Sequence, residues 1–115
     1  MFDRVLRRLP ERAVVSHNYY EIEDKFCDVR VGDFIVRTRY KELGNGKPLV
    51  LVHGLMTSSY SWRYNIQPLS ERFRVVVPDL VGSGDTDKPL NFDYTPDALA
   101  EFLHAFVETA GLGPS

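Results

Sequence analysis

The sequence contains very little of what marks secreted, membrane or nucleic-acid-binding proteins. Cys27 is the only cysteine, so no internal disulfide can form, and we expect a reducing compartment with Cys27 as a small apolar strand residue. No apolar run approaches the ~18 residues of a membrane span, and the N-terminus lacks the apolar middle region of a signal peptide, which predicts a cytoplasmic protein. With 14 basic and 16 acidic residues, the chain has no basic stripe for nucleic acid.

The composition predicts one folded domain. The 115 residues are 43% hydrophobic and 26% charged, which is typical of a soluble globular protein. We predict that residues 1–25 form a lead-in and residues 26–115 the domain. Residues 2–9 have the spacing of a short amphipathic helix, which either docks on its own domain or contacts a membrane or partner.

Two β-rich runs follow the lead-in, at residues 26–31 and 34–43. Gly32 and Asp33 between them are a two-residue turn signal, which predicts an antiparallel hairpin. In the second run a cationic side chain stands at every second position, and one face of this strand is therefore expected to be solvent-exposed. These cationic residues are Arg37, Arg39 and Lys41.

The next two predicted strands, Pro48 to Val52 and Phe73 to Pro78, are continuously apolar. Such strands are typical of a sheet covered by helices on both faces. Trp62, Ile66 and Leu69 recur at helical spacing between them, with Ser58 or Ser59 as the cap. We therefore predict a parallel, right-handed strand–helix–strand unit.

A final helix has the most regular pattern. Thr95 is the expected cap, Pro96 takes the first helical position and Gly111 ends the helix, with Leu112 folding back as in a Schellman ending. His104 lies off the apolar stripe and is expected on the surface. The stripe consists of Leu99, Phe102, Leu103, Phe106, Val107 and Ala110.

The loop that follows the first apolar strand begins His53-Gly54-Leu55-Met56. Gly54 lets the backbone turn sharply, so that the following N–H groups can point away from the sheet. Such donors stabilise an oxyanion, each contributing on the order of 3 kcal/mol in a transition state. A tight turn without a ligand explains the dipeptide equally well.

The loop that follows the second apolar strand carries Gly82 and Gly84. It lacks the third glycine of a dinucleotide site and the Gly-Lys-Ser/Thr of a nucleotide loop, and its three aspartates would repel phosphate. No fixed spacing of ligands indicates a metal. No serine stands in Gly-x-Ser-x-Gly, so the sequence shows no nucleophile elbow.

Together these segments resemble the N-terminal part of the α/β-hydrolase superfamily, in the branch of epoxide hydrolases, haloalkane dehalogenases and carbon–carbon bond hydrolases. The motifs that carry the resemblance are residues 48–54, 58–63 and 79–89. The resemblance implies the N-terminal half of an α/β-hydrolase sheet: an antiparallel hairpin, a parallel strand–helix–strand unit and a covering helix, with the sheet incomplete.

The resemblance also implies roles for single residues. The backbone N–H of Leu55, after Gly54, would be half of the oxyanion hole, and Met56 would line the substrate pocket. His53 would be structural, and Asp79 with Gly82 and Gly84 would brace the floor of the site. One large group of haloalkane dehalogenases has a halide-binding Asn directly after His-Gly, so Leu55 argues against dehalogenation.

The family's nucleophile, acid and catalytic histidine would follow Ser115. We therefore expect an N-terminal portion of a cofactor-free hydrolase of esters, epoxides or carbon–carbon bonds, inactive as 115 residues, with a small-molecule substrate only in the complete protein. An alternative is a non-catalytic half-hydrolase that pairs its open strand edge with another chain or self-associates there. A weaker alternative is an unrelated α/β binding module.

Overall fold

The computed structural model of the chain describes residues 16–112, which form one mixed sheet with a helix on each face. The strands are β1 (Asp24–Val31), β2 (Phe34–Leu43), β3 (Lys47–Val50) and β4 (Phe73–Pro78), in the spatial order β1-β2-β4-β3. The helices are α1 (Ile66–Ser70) and α2 (Pro96–Thr109), and short 3-10 turns span Tyr19–Glu21 and Ser59–Trp62. The helix predicted over residues 2–9 lies outside the described residues.

The predicted hairpin and the predicted parallel unit are both confirmed. β1 and β2 are antiparallel, with Val31 opposite Phe34 across the Gly32-Asp33 turn. β3 runs parallel to β4, and β4 runs antiparallel to β2. Regular pairing of β3 ends at Val50, two residues before the predicted end, although the N–H of Leu51 still donates to the carbonyl of Val76 at 3.0 Å.

Each face of the sheet has its own core, and β4 contributes to both. Val76 faces α2 and packs in a cluster with Phe102 and Phe106. Val75 and Val77 face the other way and pack with Ile66 of α1. Burial on both faces is the physical reason that β4 is continuously apolar, as the sequence predicted.

Helix α2 has the predicted ends. The side chain of Thr95 accepts from the N–H of Ala98, and Pro96 is the first helical residue. At the other end Gly111 has φ 74°, and the N–H of Leu112 donates to the carbonyl of Val107 at 2.8 Å, which is the Schellman pattern. His104 is exposed, as expected.

The helix predicted between β3 and β4 is not continuous. Ser58 caps a 3-10 turn by accepting from the N–H of Tyr60, and α1 begins only at Ile66. A continuous helix would need a hydrogen bond from the nitrogen of Pro68 to the carbonyl of Tyr64, which proline cannot make. Starting at Ile66 places Pro68 in the first turn, where the helix needs no such donor.

The expectation that one face of β2 is solvent-exposed is wrong for two of its three cations. Arg37 is exposed, but Arg39 and Lys41 are buried. The segment before β1 covers them, because the Lys41 Nζ donates to the carbonyl of Ile22 and contacts Asp24 Oδ1, both at 2.7 Å. The described part of the lead-in is therefore packed onto the sheet.

Strand β3 forms one end of the sheet. Within residues 16–112 it pairs only with β4, so its other edge carries free backbone groups. Self-association through this edge remains a prediction. No helix in the same range is long and apolar enough to cross a bilayer.

Candidate functional site

Two loops meet at one edge of the sheet, because β3 and β4 are parallel neighbours whose carboxyl ends lie side by side. The first loop, residues 53–59, follows β3, and the second, residues 79–87, follows β4. We call them the first loop and the second loop. They contain every residue to which the sequence resemblance assigned a role in the site.

The buried ring of His53 joins the start of the first loop to the second loop. The N–H of Leu80 donates to His53 Nε2 at 2.9 Å, so Nε2 carries no proton. The proton on Nδ1 is then available to the carbonyl of Gly54, 2.7 Å away. Both nitrogens are engaged in holding backbone, which is a structural arrangement.

The far end of the first loop is held in the same way. The N–H of Ser59 donates to Asp79 Oδ1 at 2.7 Å. Since Leu80 and Asp79 are consecutive, both ends of the first loop are fastened to one short stretch of the second loop. These two attachments restrict the position of the residues between His53 and Ser59.

The middle of the first loop is a turn that, within residues 16–112, leaves several backbone donors uncommitted, those of Gly54, Leu55 and Met56 among them. Thr57 closes the turn, with its Oγ1 and its N–H both donating to the carbonyl of Gly54, at 2.6 and 3.3 Å. The N–H of Leu55 has no acceptor anywhere between residues 16 and 112. Leu55 is 80% exposed and Met56 fully exposed.

The backbone of this turn corrects one detail of the sequence interpretation. Gly54 does not have a positive φ, and a Cβ there would touch nothing. Met56 has φ 61° instead, a left-handed conformation that is uncommon for a side chain of this size. The unusual residue of the turn is therefore Met56, and Gly54 is not required for conformational reasons.

A cavity of about 210 Å³ lies between the two loops. Most of its wall is apolar, which suits a small organic molecule. Leu55 and Met56 form one side, Tyr94 comes from the segment that leads into α2, and Leu99 comes from the first turn of α2. The lining consists of His53, Gly54, Leu55, Met56, Leu80, Val81, Gly82, Ser83, Tyr94 and Leu99.

Asp79 is fully buried at the base of the second loop. Besides the N–H of Ser59, its carboxylate accepts from the N–H of Asp85 at 3.0 Å and from Arg39 Nε at 2.8 Å. Burial would raise the pKa of Asp79, but the hydrogen bonds from Ser59 and Asp85 and the charge of Arg39 outweigh it and hold the pKa below its ordinary value. Asp79 is therefore a charged anchor for both loops.

The two glycines of the second loop have different neighbours. Gly84 has φ 53° and lies against the Asp79 carboxylate, with 2.5 Å between an added Cβ and the Asp79 Cγ. Gly82 has φ 85° and lies against the ring of Tyr94, where an added Cβ would be 2.7 Å from Cε1. The position of Gly84 requires glycine for conformation and for space, whereas that of Gly82 requires it for conformation, since the half-exposed ring of Tyr94 can move aside.

Sequence reasoning missed Tyr19, Arg39 and Ser59 as parts of this site. Arg39 reaches Asp79 from β2, and Tyr19 reaches both Arg39 and Ser59 from the segment before β1. No spacing signal connects residues 40 positions apart, and alternating cations indicate an exposed face. Among residues 16–112, no three potential ligands are placed to hold a metal ion.

The depressed pKa of Asp79 predicts acid sensitivity. An unfolded aspartate has a pKa of about 3.9, so the stabilisation is complete from roughly one pH unit above that value and is lost progressively as the pH falls through the lower folded value. In urea titrations followed by the fluorescence of Trp62, unfolding free energy should decline below about pH 5. Asp79→Asn should be less stable at neutral pH and should show a shallower acid decline.

The control is Asp93→Asn, which neutralises an exposed carboxylate in a loop. This variant should keep the acid decline of the wild type. If Asp79→Asn also keeps it, the carboxylate of Asp79 is not charged in the folded chain as the contacts require.

Both loops lie in a part of the chain that is similar to a known protein family. The model of the alpha/beta hydrolase fold family matches residues 47–114. Haloalkane dehalogenase 2 of Mycobacterium tuberculosis is 37% identical over 93 residues, which are 81% of this chain and 31% of that protein. Soluble epoxide hydrolase of Corynebacterium sp. is 50% identical over 54 residues, 47% of this chain and 19% of that protein.

Solved structures agree in fold. An epoxide hydrolase from Vigna radiata matches with a TM-score of 0.72 and 33% identity, over 82% of this chain and 30% of that chain. A meta-cleavage product hydrolase from Pseudomonas fluorescens matches with a TM-score of 0.67 and 33% identity, over 80% and 33% of the two chains. The chain thus spans a third or less of the length of these relatives.

Proposed function

Since the chain belongs to the alpha/beta hydrolase family, we propose that it supplies the oxyanion-hole loop of a cofactor-free hydrolase. The substrate is a small molecule with an ester, an epoxide or a carbon–carbon bond next to a carbonyl group. The observation that carries the proposal is the uncommitted N–H of Leu55 beside an apolar cavity.

The chemistry follows from the position of that donor. When a nucleophile adds to a carbonyl, negative charge develops on the oxygen, and an N–H already fixed in place stabilises it without reorganisation. His53 and Ser59 fix the loop at both ends, so the donor does not have to be ordered during the reaction. For an epoxide, the same donor would serve the charge that develops when the intermediate ester is attacked.

The bond-breaking groups are proposed to be other residues of the complete protein. Within residues 16–112, no serine, cysteine or aspartate is hydrogen-bonded to a histidine. Thr57 Oγ1 lies 3.2 Å from His53 Nδ1, but its proton is donated to the carbonyl of Gly54 and Nδ1 is not free to act as a base. A nucleophile needs such a base to be activated. We therefore propose that the 115 residues alone do not turn over substrate. We also propose that the whole protein works in the cytoplasm, because the single cysteine of this chain, Cys27, is a free thiol, as is usual in a reducing compartment.

Dehalogenation is not part of the proposal, although one relative is named as a haloalkane dehalogenase. The residue after His53-Gly54 is Leu55, whose apolar side chain offers no hydrogen bond to a halide leaving group. An ester, an epoxide or a carbonyl-activated bond requires only the backbone donor at this position.

The test compares two substitutions of Leu55 in the protein expressed from its complete reading frame. Leu55→Pro removes the N–H, and kcat for p-nitrophenyl acetate or styrene oxide hydrolysis should fall by a factor on the order of 100 to 1,000 with little change in KM. Leu55→Ala keeps the N–H and should remain within a few-fold of the wild type.

Circular dichroism must show that both variants are folded. A Leu55→Pro variant that is folded and retains the wild-type kcat would contradict the proposal, as would turnover by the isolated 115 residues above that of their Leu55→Pro version.

A further inference from the structure

Four buried polar residues form a closed ring of hydrogen bonds behind the first loop, in which Ser59 takes part with both its side chain and its backbone N–H. Tyr19 OH lies 2.7 Å from Ser59 Oγ, and Arg39 Nη2 donates to the same hydroxyl at 2.9 Å. Arg39 Nε donates to Asp79 Oδ2 at 2.8 Å, and the N–H of Ser59 donates to Asp79 Oδ1 at 2.7 Å. All four residues are less than a tenth exposed.

Each member of this ring comes from a different part of the chain. Tyr19 lies in the 3-10 turn before β1, Arg39 in β2, Ser59 at the end of the first loop and Asp79 at the start of the second. The ring therefore joins the segment before the sheet to the loop that carries Leu55. Ser59 is only four residues from Leu55.

Within the ring, Tyr19 is the residue that links the segment before β1 to Ser59 of the first loop. Arg39 can only donate, so the Tyr19 hydroxyl accepts there, and its own proton is available to Ser59 Oγ. Lys41 Nζ lies 4.6 Å from the centre of the Tyr19 ring and adds a cation–π contact that fixes the ring itself.

We propose that Tyr19 is a positioning residue for the oxyanion loop: through Ser59 it holds the far end of that loop and so sets the place of the Leu55 N–H. This inference rests on the proposed function for its catalytic consequence. Its structural content, that the hydroxyl of Tyr19 controls the environment of the Leu55 amide, does not depend on any activity.

The first experiment is spectroscopic and uses protein labelled with [¹⁵N]leucine. The Leu55 amide signal is assigned as the one that disappears in Leu55→Ala. Tyr19→Phe removes only the hydroxyl and should move this signal by more than its line width. Tyr20→Phe makes the same chemical change at the neighbouring, exposed residue of the same turn and should leave the signal in place.

A second control separates positioning from loss of stability. Val36 is fully buried in the other core, against α2, and Val36→Ala destabilises the fold without touching the ring. Below the unfolding temperature it should leave the Leu55 signal unchanged. An unmoved Leu55 signal in Tyr19→Phe, or an equal movement in Val36→Ala, would overturn the inference.

The kinetic experiment uses the protein expressed from its complete reading frame. Tyr19→Phe should lower kcat about tenfold with KM unchanged, less than Leu55→Pro, because the donor is displaced and not removed. If Leu55→Pro lowers kcat and Tyr19→Phe does not, the inference is wrong and the proposed function stands. If Leu55→Pro has no effect while Tyr19→Phe moves the Leu55 signal, the proposed function fails and the positioning contact stands.

Discussion

Replacing Asp79 with alanine is expected to lower the free energy of unfolding by about 3–5 kcal/mol. The carboxylate is fully buried and satisfies three donors: the N–H groups of Ser59 and Asp85 and the guanidinium of Arg39. Removing it leaves the buried Arg39 with only the more exposed carboxylates of Asp85 and Asp24, at 2.7 and 3.6 Å, and leaves two backbone donors without an acceptor. Urea unfolding monitored by the fluorescence of Trp62, the single tryptophan, measures the loss.

The matched control is Asp93→Ala, which removes an exposed aspartate and should change the unfolding free energy by no more than about 0.5 kcal/mol. Arg39→Ala and the double variant Asp79→Ala/Arg39→Ala complete a double-mutant cycle, which measures the interaction between the two side chains. Because burying Arg39 costs more when Asp79 is absent, even with Asp85 still paired to it, the double variant should cost less than the sum of the two single variants, by about 0.5–3 kcal/mol. Additive losses would contradict the pairing.

The local elements of the fold follow from short-range chemistry, and these were predicted. The turn at Gly32-Asp33, the Thr95 cap and the ending at Gly111 each depend on residues within one turn of one another. The continuously apolar run of β4 likewise indicates burial on both faces of one strand. Such signals are contained in windows of a few residues, where a sequence can be interpreted alone.

The ring behind the first loop could not be predicted in this way. Arg39 and Asp79 are 40 positions apart, and so are Tyr19 and Ser59. A cation at every second position of a strand ordinarily predicts a solvent-exposed face. Here Arg39 and Lys41 are buried because the segment around Tyr19 covers that face. Long-range ion pairs change the burial of a residue without changing the local pattern around it.

The first loop shows a related limit. The sequence predicted that Gly54 allows the sharp turn, yet the residue with a left-handed conformation is Met56. A sequence shows where glycine stands, but it does not show which residue of a turn adopts a left-handed conformation. Here that residue follows from the closure of the turn, in which Thr57 donates to the carbonyl of Gly54. In the second loop, by contrast, the two glycines are where the chain needs them.

Gly84→Ala is the second substitution with a large expected effect, a loss of about 3–5 kcal/mol in the free energy of unfolding. The left-handed backbone, φ 53°, costs an alanine about 1–2 kcal/mol. The remainder arises because the new Cβ would overlap the buried Asp79 carboxylate, which cannot move without weakening its bonds to Arg39 and Ser59.

Gly32→Ala separates these two contributions, because Gly32 has nearly the same conformation, φ 57°, with no atom within 4 Å of an added Cβ. It should cost only the backbone strain, about 1–2 kcal/mol. The difference between the two variants in urea unfolding then measures the contact with Asp79. In an Asp79→Ala background the two glycine variants should cost the same, because the alanine at position 84 then has no carboxylate to displace. Equal losses at Gly84 and Gly32 would mean that the second loop has room to shift, and that Asp79 does not fix both loops in one arrangement.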